Sequence, residues 1–200
     1  MTITYPLTPP ASPIHSRIDF ELETVVAISE SPYSFVSQTQ QRAGERWLIS
    51  VSLPPMTREN AAPWIAFLSK LNGRKGTFYY GSYLMGTPQG LAGGTPLVKG
   101  AGQSGQSLDI DGCTISVNFL KAADFFSLDN KLYQNLNDVS ADGSGNATLD
   151  IRPRLRGHAD NTALVTSFPK GIFRLRDNLS RWSESETKHY LVAFTAEEAL

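Results

Sequence analysis

Residues 44–81 contain a strand that runs into two prolines, then a single amphipathic helix, then a second aromatic strand. Trp47, Ile49, Val51 and Leu53 alternate with Leu48, Ser50 and Ser52, the period-two pattern of a strand with one buried face. Pro54 and Pro55 end it, because proline has no amide hydrogen to give to a ladder. Ala61, Trp64, Ile65, Leu68 and Leu71 then recur at helical spacing until Asn72 and Gly73, a pair suited to a left-handed helix end. Gly76, Thr77, Phe78, Tyr79, Tyr80 and Gly81 follow as a short strand. The order predicts a β-rich lobe that carries one packed helix. Pro63 sets the expected helix start: with Asn60 as N-cap it falls in the first turn, where its missing amide costs nothing. A helix of about three turns cannot stand alone in water, so Trp64 and Leu68 are expected to be buried on the sheet.

The 200 residues, 40% hydrophobic and 18% charged, are enough for one large domain or two small ones with a real core. The net charge of -1 argues against a dedicated nucleic-acid binder. Arg152, Arg154, Arg156, Lys170, Arg174 and Arg176 lie close in sequence and read as solvated strand faces and loops. Cys113, the only cysteine, excludes an intrachain disulfide framework and reads as a buried thiol in a strand, as suits folding in a reducing cytoplasm. Neither a signal peptide nor a membrane span is expected, since no segment approaches 18 apolar residues.

Along the chain, residues 1–16 hold Pro6, Pro9, Pro10 and Pro13 and read as an extended arm with little of its own to pack against, suited to a neighbouring subunit. Ile18, Phe20 and Leu22 begin the first strand, and residues 35–41 read as another short one after a turn at Ser31 and Pro32. From residue 84 the texture changes to glycine, serine and proline, and strands resume at Leu108. Residues 131–134 and 147–151 read as a hairpin around the turn at 142–145. About five short strands suffice for a small barrel. The last segment, with Phe173, Leu175, Leu191 and Phe194, is expected to return to the Trp47 strand. The predicted fold is therefore mainly β: a sandwich-like lobe (residues 1–83 and 166–200) with one short packed helix, and an inserted small OB-like barrel (residues 84–165).

No catalytic signature accompanies this layout. Gly100, Gly102 and Gly105 match the dinucleotide fingerprint in letters, but a strand-like run follows where that motif needs a helix. Asp142, Ser144 and Asn146 resemble a calcium loop, yet Ala147 and Pro153 stand where glycine and glutamate belong. His15, His158 and His189 share no ligand spacing. Two glycosylation sequons, at Asn146 and Asn178, carry meaning only on a secretory route. Trp47, Trp64 and Trp182, with Phe78, Tyr79 and Tyr80, could form a stacking platform, though packing is the preferred reading. No catalytic, cofactor or metal residue is assigned, and no enzyme activity is expected.

The run GERWLISVSLPPM (44–56), the helix with Trp64, Phe67 and Leu68, and Gly76, Thr77 and Phe78 resemble the distal tail protein family of long-tailed, siphovirus-type bacteriophages. Further likeness lies at 120–126 and 131–134, at 147–149 and 151–156, and at 169–175, so that it covers most of residues 35–200. It departs at Ala123, where the family pattern has glycine. The resemblance implies a structural virion protein at the tail tip, made in the bacterial host cytoplasm. It implies a ring, a homohexamer, between the tail tube protein and the tip hub and tape-measure proteins, with DNA passing its lumen unbound. A host-surface carbohydrate-binding module, gripping polysaccharide through aromatics of residues 84–165, is the alternative. An enzyme would need carboxylates or histidines converging in a pocket.

Overall fold

The computed structural model describes residues 3–83, 85–186 and 188–200; the first two residues of the proline-rich arm and Leu84, where the middle segment begins, lie outside it. The elements in order are β1 (Arg17–Glu30), β2 (Ser37–Ser52), α1 (Arg58–Leu71), β3 (Thr77–Tyr80), β4 (Gly94–Val98), β5 (Gly105–Cys113), β6 (Asn118–Leu120) and β7 (Phe125–Leu128). Then come β8 (Lys131–Asn135), β9 (Val139–Ser140), β10 (Ala147–Leu155), β11 (Gly171–Leu175), β12 (Trp182–Glu184) and β13 (Tyr190–Glu198). The fold is mainly β with a single α-helix, and its first sheet curls into half a barrel.

That first sheet has the order β1-β2-β13-β11-β3, with β12 paired to the start of β13. The two layers expected of a sandwich are realised here as one sheet curled on itself. Trp47, Ile49 and Val51 of β2 point inward, as their spacing predicts, and meet Val192, Phe194 and Ala196 of β13 and Phe173 and Leu175 of β11. Helix α1 fills the concave side with Ala61, Trp64, Phe67, Leu68 and Leu71. Trp64, Phe67, Phe78 and Phe194 form a chain of mostly edge-on aromatic contacts, the geometry that ring quadrupoles favour.

Three expectations about this lobe need correction. The helix starts at Arg58 with Thr57 as N-cap, so Pro63 lies inside it rather than in its first turn. Glu59 and Pro63 are both exposed, so the Glu59 carbonyl that proline leaves unpaired lies on the solvent side of the helix. Leu191 is exposed and pairs with Ser183 of β12 instead of entering the core. Strand alternation decides this: Val192, Phe194 and Ala196 take the inner face, so Leu191 must take the outer one. The proline-rich arm, expected to have little of its own to pack against, packs on its own lobe. Leu7 pairs with β3 through Leu7 N to Thr77 O (2.8 Å) and Tyr79 N to Leu7 O (3.0 Å), and the Tyr5 hydroxyl donates to Lys70 O.

A second sheet, ordered β4-β5-β10-β8-β7, lies within residues 94–155, beside a small β6–β9 pair. Its core gathers Leu108, Ile110, Phe119, Phe126, Leu128, Tyr133, Leu149 and Ile151. One short segment touches both edges: Ala163 bridges Leu97 of β4 and Val165 bridges Ser127 of β7. The expected 131–134/147–151 hairpin is mostly replaced. β10 pairs over Ala147–Asp150 with β5, and meets β8 only at Ile151 and Arg152. The 142–145 turn does form, but it leads from β9 rather than β8. Ala123 sits at φ 70°, a left-handed backbone that suits glycine best. Buried Asp124 beside it accepts hydrogen bonds from the amides of Gln89, Gly90 and Lys121, tying the start of the segment to β7.

The two sheets meet at Trp47. Its Nε1 donates to Leu132 O at 3.0 Å, and its ring lies 5.5 Å from that of Phe125. Phe125 and Leu132 come from the middle segment yet belong to the first core.

Candidate interaction surface

The hairpin of β1 and β2 extends well beyond the body of the lobe. Its ladder runs from Arg17 opposite Ser52 to Glu30 opposite Ser37, broken only by a bulge in which Arg42, Ala43 and Gly44 of β2 stand against the single Val25 of β1. The half nearest the core is anchored by Trp47, Ile49 and Val51, with Phe20 resting edge-on against Trp47. Beyond the bulge both strands are exposed along their whole length. Gly44 lies within the bulged segment, and a Cβ there would stand 3.1 Å from Val25 Cγ2, so the absent side chain leaves room for Val25 on the facing strand.

The outer half is not a polar finger. Ile28 is 67% exposed, Tyr33 96% and Phe35 75%, and Val25, Val26 and Val36 are also open to solvent. Phe35 stands at φ 57°, unusual for a bulky residue, and is held there by its amide bonding to Ser31 O at 2.9 Å. A two-stranded ribbon with no third strand and no core is marginal in water, and its bare backbone edges are templates for pairing. Concentrating apolar side chains on such a ribbon makes sense when another surface covers them. The sequence reading divided this ribbon into short separate strands. Arg42, Ala43, Gly44, Glu45 and Arg46 show no alternation of apolar and polar residues, so nothing in the pattern joins 35–41 to the Trp47 strand.

The base of the hairpin is fixed by charge. Arg46 pairs with Glu23 across the ladder and with Glu197 of β13 at 2.9 Å. Glu45, almost wholly buried, pairs with Arg152 of β10 and accepts from the Arg154 amide at 2.8 Å. Glu198 accepts from the two terminal guanidinium nitrogens of Arg156. The basic run expected to be solvated thus supplies two buried inter-sheet pairs, since β2 and β13 bring acids to it that are remote in sequence.

The other sequence candidates are dispersed. His15 meets the Tyr80 hydroxyl at 3.1 Å, and burial lowers its pKa. His158 bridges the Tyr133 hydroxyl (3.0 Å) and Asp129 (3.1 Å), and desolvation lowers its pKa against the opposing pull of Asp129. Tyr133 is fully buried and accepts from the Arg156 amide, so this trio braces a loop, with only the Asp129 carboxylate at the surface. His189 lies just before β13, apart from both. Gly100, Gly102 and Gly105 have left-handed φ values and lead into strand β5, so no helix end is present there to hold a pyrophosphate. Asp142 receives the amides of Ser144 and Asn146, an Asx turn that holds its pKa down. Cys113 is buried, and desolvation pushes its thiol up to about 11. Trp47, Trp64, Phe78 and Tyr80 are core residues, while Trp182 is half exposed beside Leu191 in a groove on the outer face of the sheet. Among the described residues no group of three His, Cys, Asp or Glu side chains could hold a metal ion, and no helix is long and apolar enough to cross a membrane. No protein-family model matches the sequence, and no curated protein does either.

Proposed function

We propose that this chain is a structural, non-enzymatic protein of a bacteriophage tail tip. It forms a ring, a homohexamer by the sequence resemblance, between the tail tube protein and the distal apparatus of hub and tape-measure proteins. DNA crosses the lumen without specific contacts, which the near-neutral charge of -1 favours, because a basic wall would hold phosphates. The observation that carries the reading is the projecting outer half of the β1–β2 hairpin, with its exposed Val26, Ile28, Tyr33 and Phe35. A projection on one face that meets a different face of the next copy is a heterologous contact, and such contacts close into rings when the rotation permits.

The carbohydrate reading gains nothing from residues 84–165. All four of their aromatics, Phe119, Phe125, Phe126 and Tyr133, are buried, which leaves no ring on that surface for a sugar to stack on. Electron microscopy of intact particles tests the proposal. Density for this chain in a ring at the distal end of the tail tube is the expected outcome, and its absence from the tail refutes it.

A further inference from the structure

Strand β10 and the residue after it carry arginines at alternate positions, Arg152, Arg154 and Arg156, which project to the same side. Two of them are fully engaged. Arg152 pairs with Glu45 and, with the Gln106 amide in its favoured orientation, donates to that oxygen at 2.7 Å. Arg156 holds Glu198 with two nitrogens, reaches Glu45 O and lies over the Tyr133 ring. Arg154 differs from both. Among the described residues its guanidinium has no ion pair; its Nε is sealed from solvent, and its two terminal nitrogens are open to solvent without a hydrogen-bond partner. A guanidinium held at a cleft wall with its terminal nitrogens unpaired is free to take an anion.

Arg154 lines an inter-sheet cleft of about 580 Å3 together with Lys131, Arg156, Leu155, Ala43 and Ala199. Lys131 likewise has no ion pair among the described residues, and Leu200, in the same lining, forms none with either cation. The Glu45–Arg152 and Glu198–Arg156 pairs cancel their own charges. The cleft is left with two uncompensated cations over an aliphatic floor.

We infer that this cleft binds a carboxylate ligand: the two oxygens on the Arg154 guanidinium with Lys131 beside them, and an aliphatic body on Leu155, Ala43 and Ala199. The planar guanidinium fork matches the two oxygens of a carboxylate, and the apolar floor favours an organic acid over a bare inorganic anion. The ligand is a free aliphatic acid or the carboxylate end of a peptide. This site stands independently of the ring reading.

The test is NMR titration of the arginine Nε–Hε resonances in the full chain with hexanoate, N-acetyl-leucine, hexanamide and inorganic phosphate. Expected is a saturable shift of the Arg154 resonance with a carboxylate and none with hexanamide. The dissociation constant, followed on neighbouring backbone amides, should rise at least tenfold in Arg154→Gln and threefold or more in Lys131→Gln. Arg154→Lys should recover only part of the loss, because it restores charge without the fork. Tighter binding of N-acetyl-leucine than of hexanoate identifies a peptide end as the source, and the reverse identifies a free acid. Phosphate binding in preference to both overturns the carboxylate assignment. No saturable shift with any probe, or equal affinity in folded Arg154→Gln and Lys131→Gln, overturns the site.

Discussion

The two halves of the β1–β2 hairpin share one antiparallel ladder and differ in what lies against them. Near the core, Trp47, Ile49 and Val51 are nearly inaccessible, and Phe20 and Phe125 pack on the Trp47 ring. Past the Val25 bulge the same two strands carry Val26, Ile28, Tyr33 and Phe35 in the open. Backbone hydrogen bonds are equally available to both halves, and each adds only about 1 kcal/mol net because water competes for the same groups. The difference is side-chain burial, at roughly 25 cal/mol per Å2 of apolar surface. The inner half therefore contributes to the stability of the lobe, and the outer half is the part we propose for association with another copy.

A series of measurements separates the two halves. Trp47→Ala should have the largest effect. It removes an indole that fills the junction of both sheets and donates to Leu132 O, so a loss of about 3 to 5 kcal/mol in chemical denaturation is expected. A loss under about 1 kcal/mol would show that the inner half is not the anchor. Glu45→Ala, at the boundary of the halves, should cost about 2 to 3 kcal/mol, because it strips Arg152 of its buried counter-charge and leaves the Arg154 amide without its acceptor. Removing both sides with Glu45→Ala/Arg152→Ala should recover part of that loss, which a double-mutant cycle reads directly.

A smaller effect should follow pH and spare the hairpin. His158 and His15 both have pKa values below the ordinary 6.5 in the folded chain, chiefly through burial. The unfolded chain then binds more protons just below pH 6.5, so stability is full above that value and falls as the pH drops toward the folded pKa values. Denaturation midpoints at pH 7.5 and 5.0 should differ in the parent. His158→Gln together with His15→Gln should shrink the difference, while hydrogen exchange of residues 26–41 stays fast at both values.

The smallest effect on the isolated chain belongs to the outer half. Val26→Ser, Ile28→Ser and Phe35→Ser should each shift unfolding by no more than about 0.5 kcal/mol, since none leaves a cavity. The triple variant should nevertheless fail to assemble into rings in complementation of tail formation. A triple variant that assembles normally would remove the outer half from the interface.

Much of the inner architecture was legible in the sequence, and for a local reason. Trp47, Ile49 and Val51, the α1 stripe of Trp64, Leu68 and Leu71, and Phe173 and Phe194 each announce burial through their spacing. Spacing alone does not separate Leu191, which lies on the outer face, from Phe194 on the inner one, because an apolar residue on a strand gives no sign of which face is inner until its neighbours are paired. The middle of β2 carried no signal, because a ribbon exposed on both faces has no periodicity to show. Pro63 misled for a different reason: a proline inside a helix is tolerated when the carbonyl it leaves unpaired reaches water, and only the packed helix reveals that its outer side is exposed.

By itself the sequence determined which segments alternate, which stripe of the one helix is apolar, and that the chain is mainly β. These are properties of neighbours within a few residues, set by backbone period and by the cost of exposing apolar surface. Tertiary structure alone decided that β10 takes β5 as its main partner and that the arm folds back on β3. It decided too that Glu45 and Glu198 neutralise Arg152 and Arg156 while Arg154 is left over. Strand pairing and charge compensation join groups separated by tens of residues, and a buried charge is costly or harmless according to what the fold sets beside it.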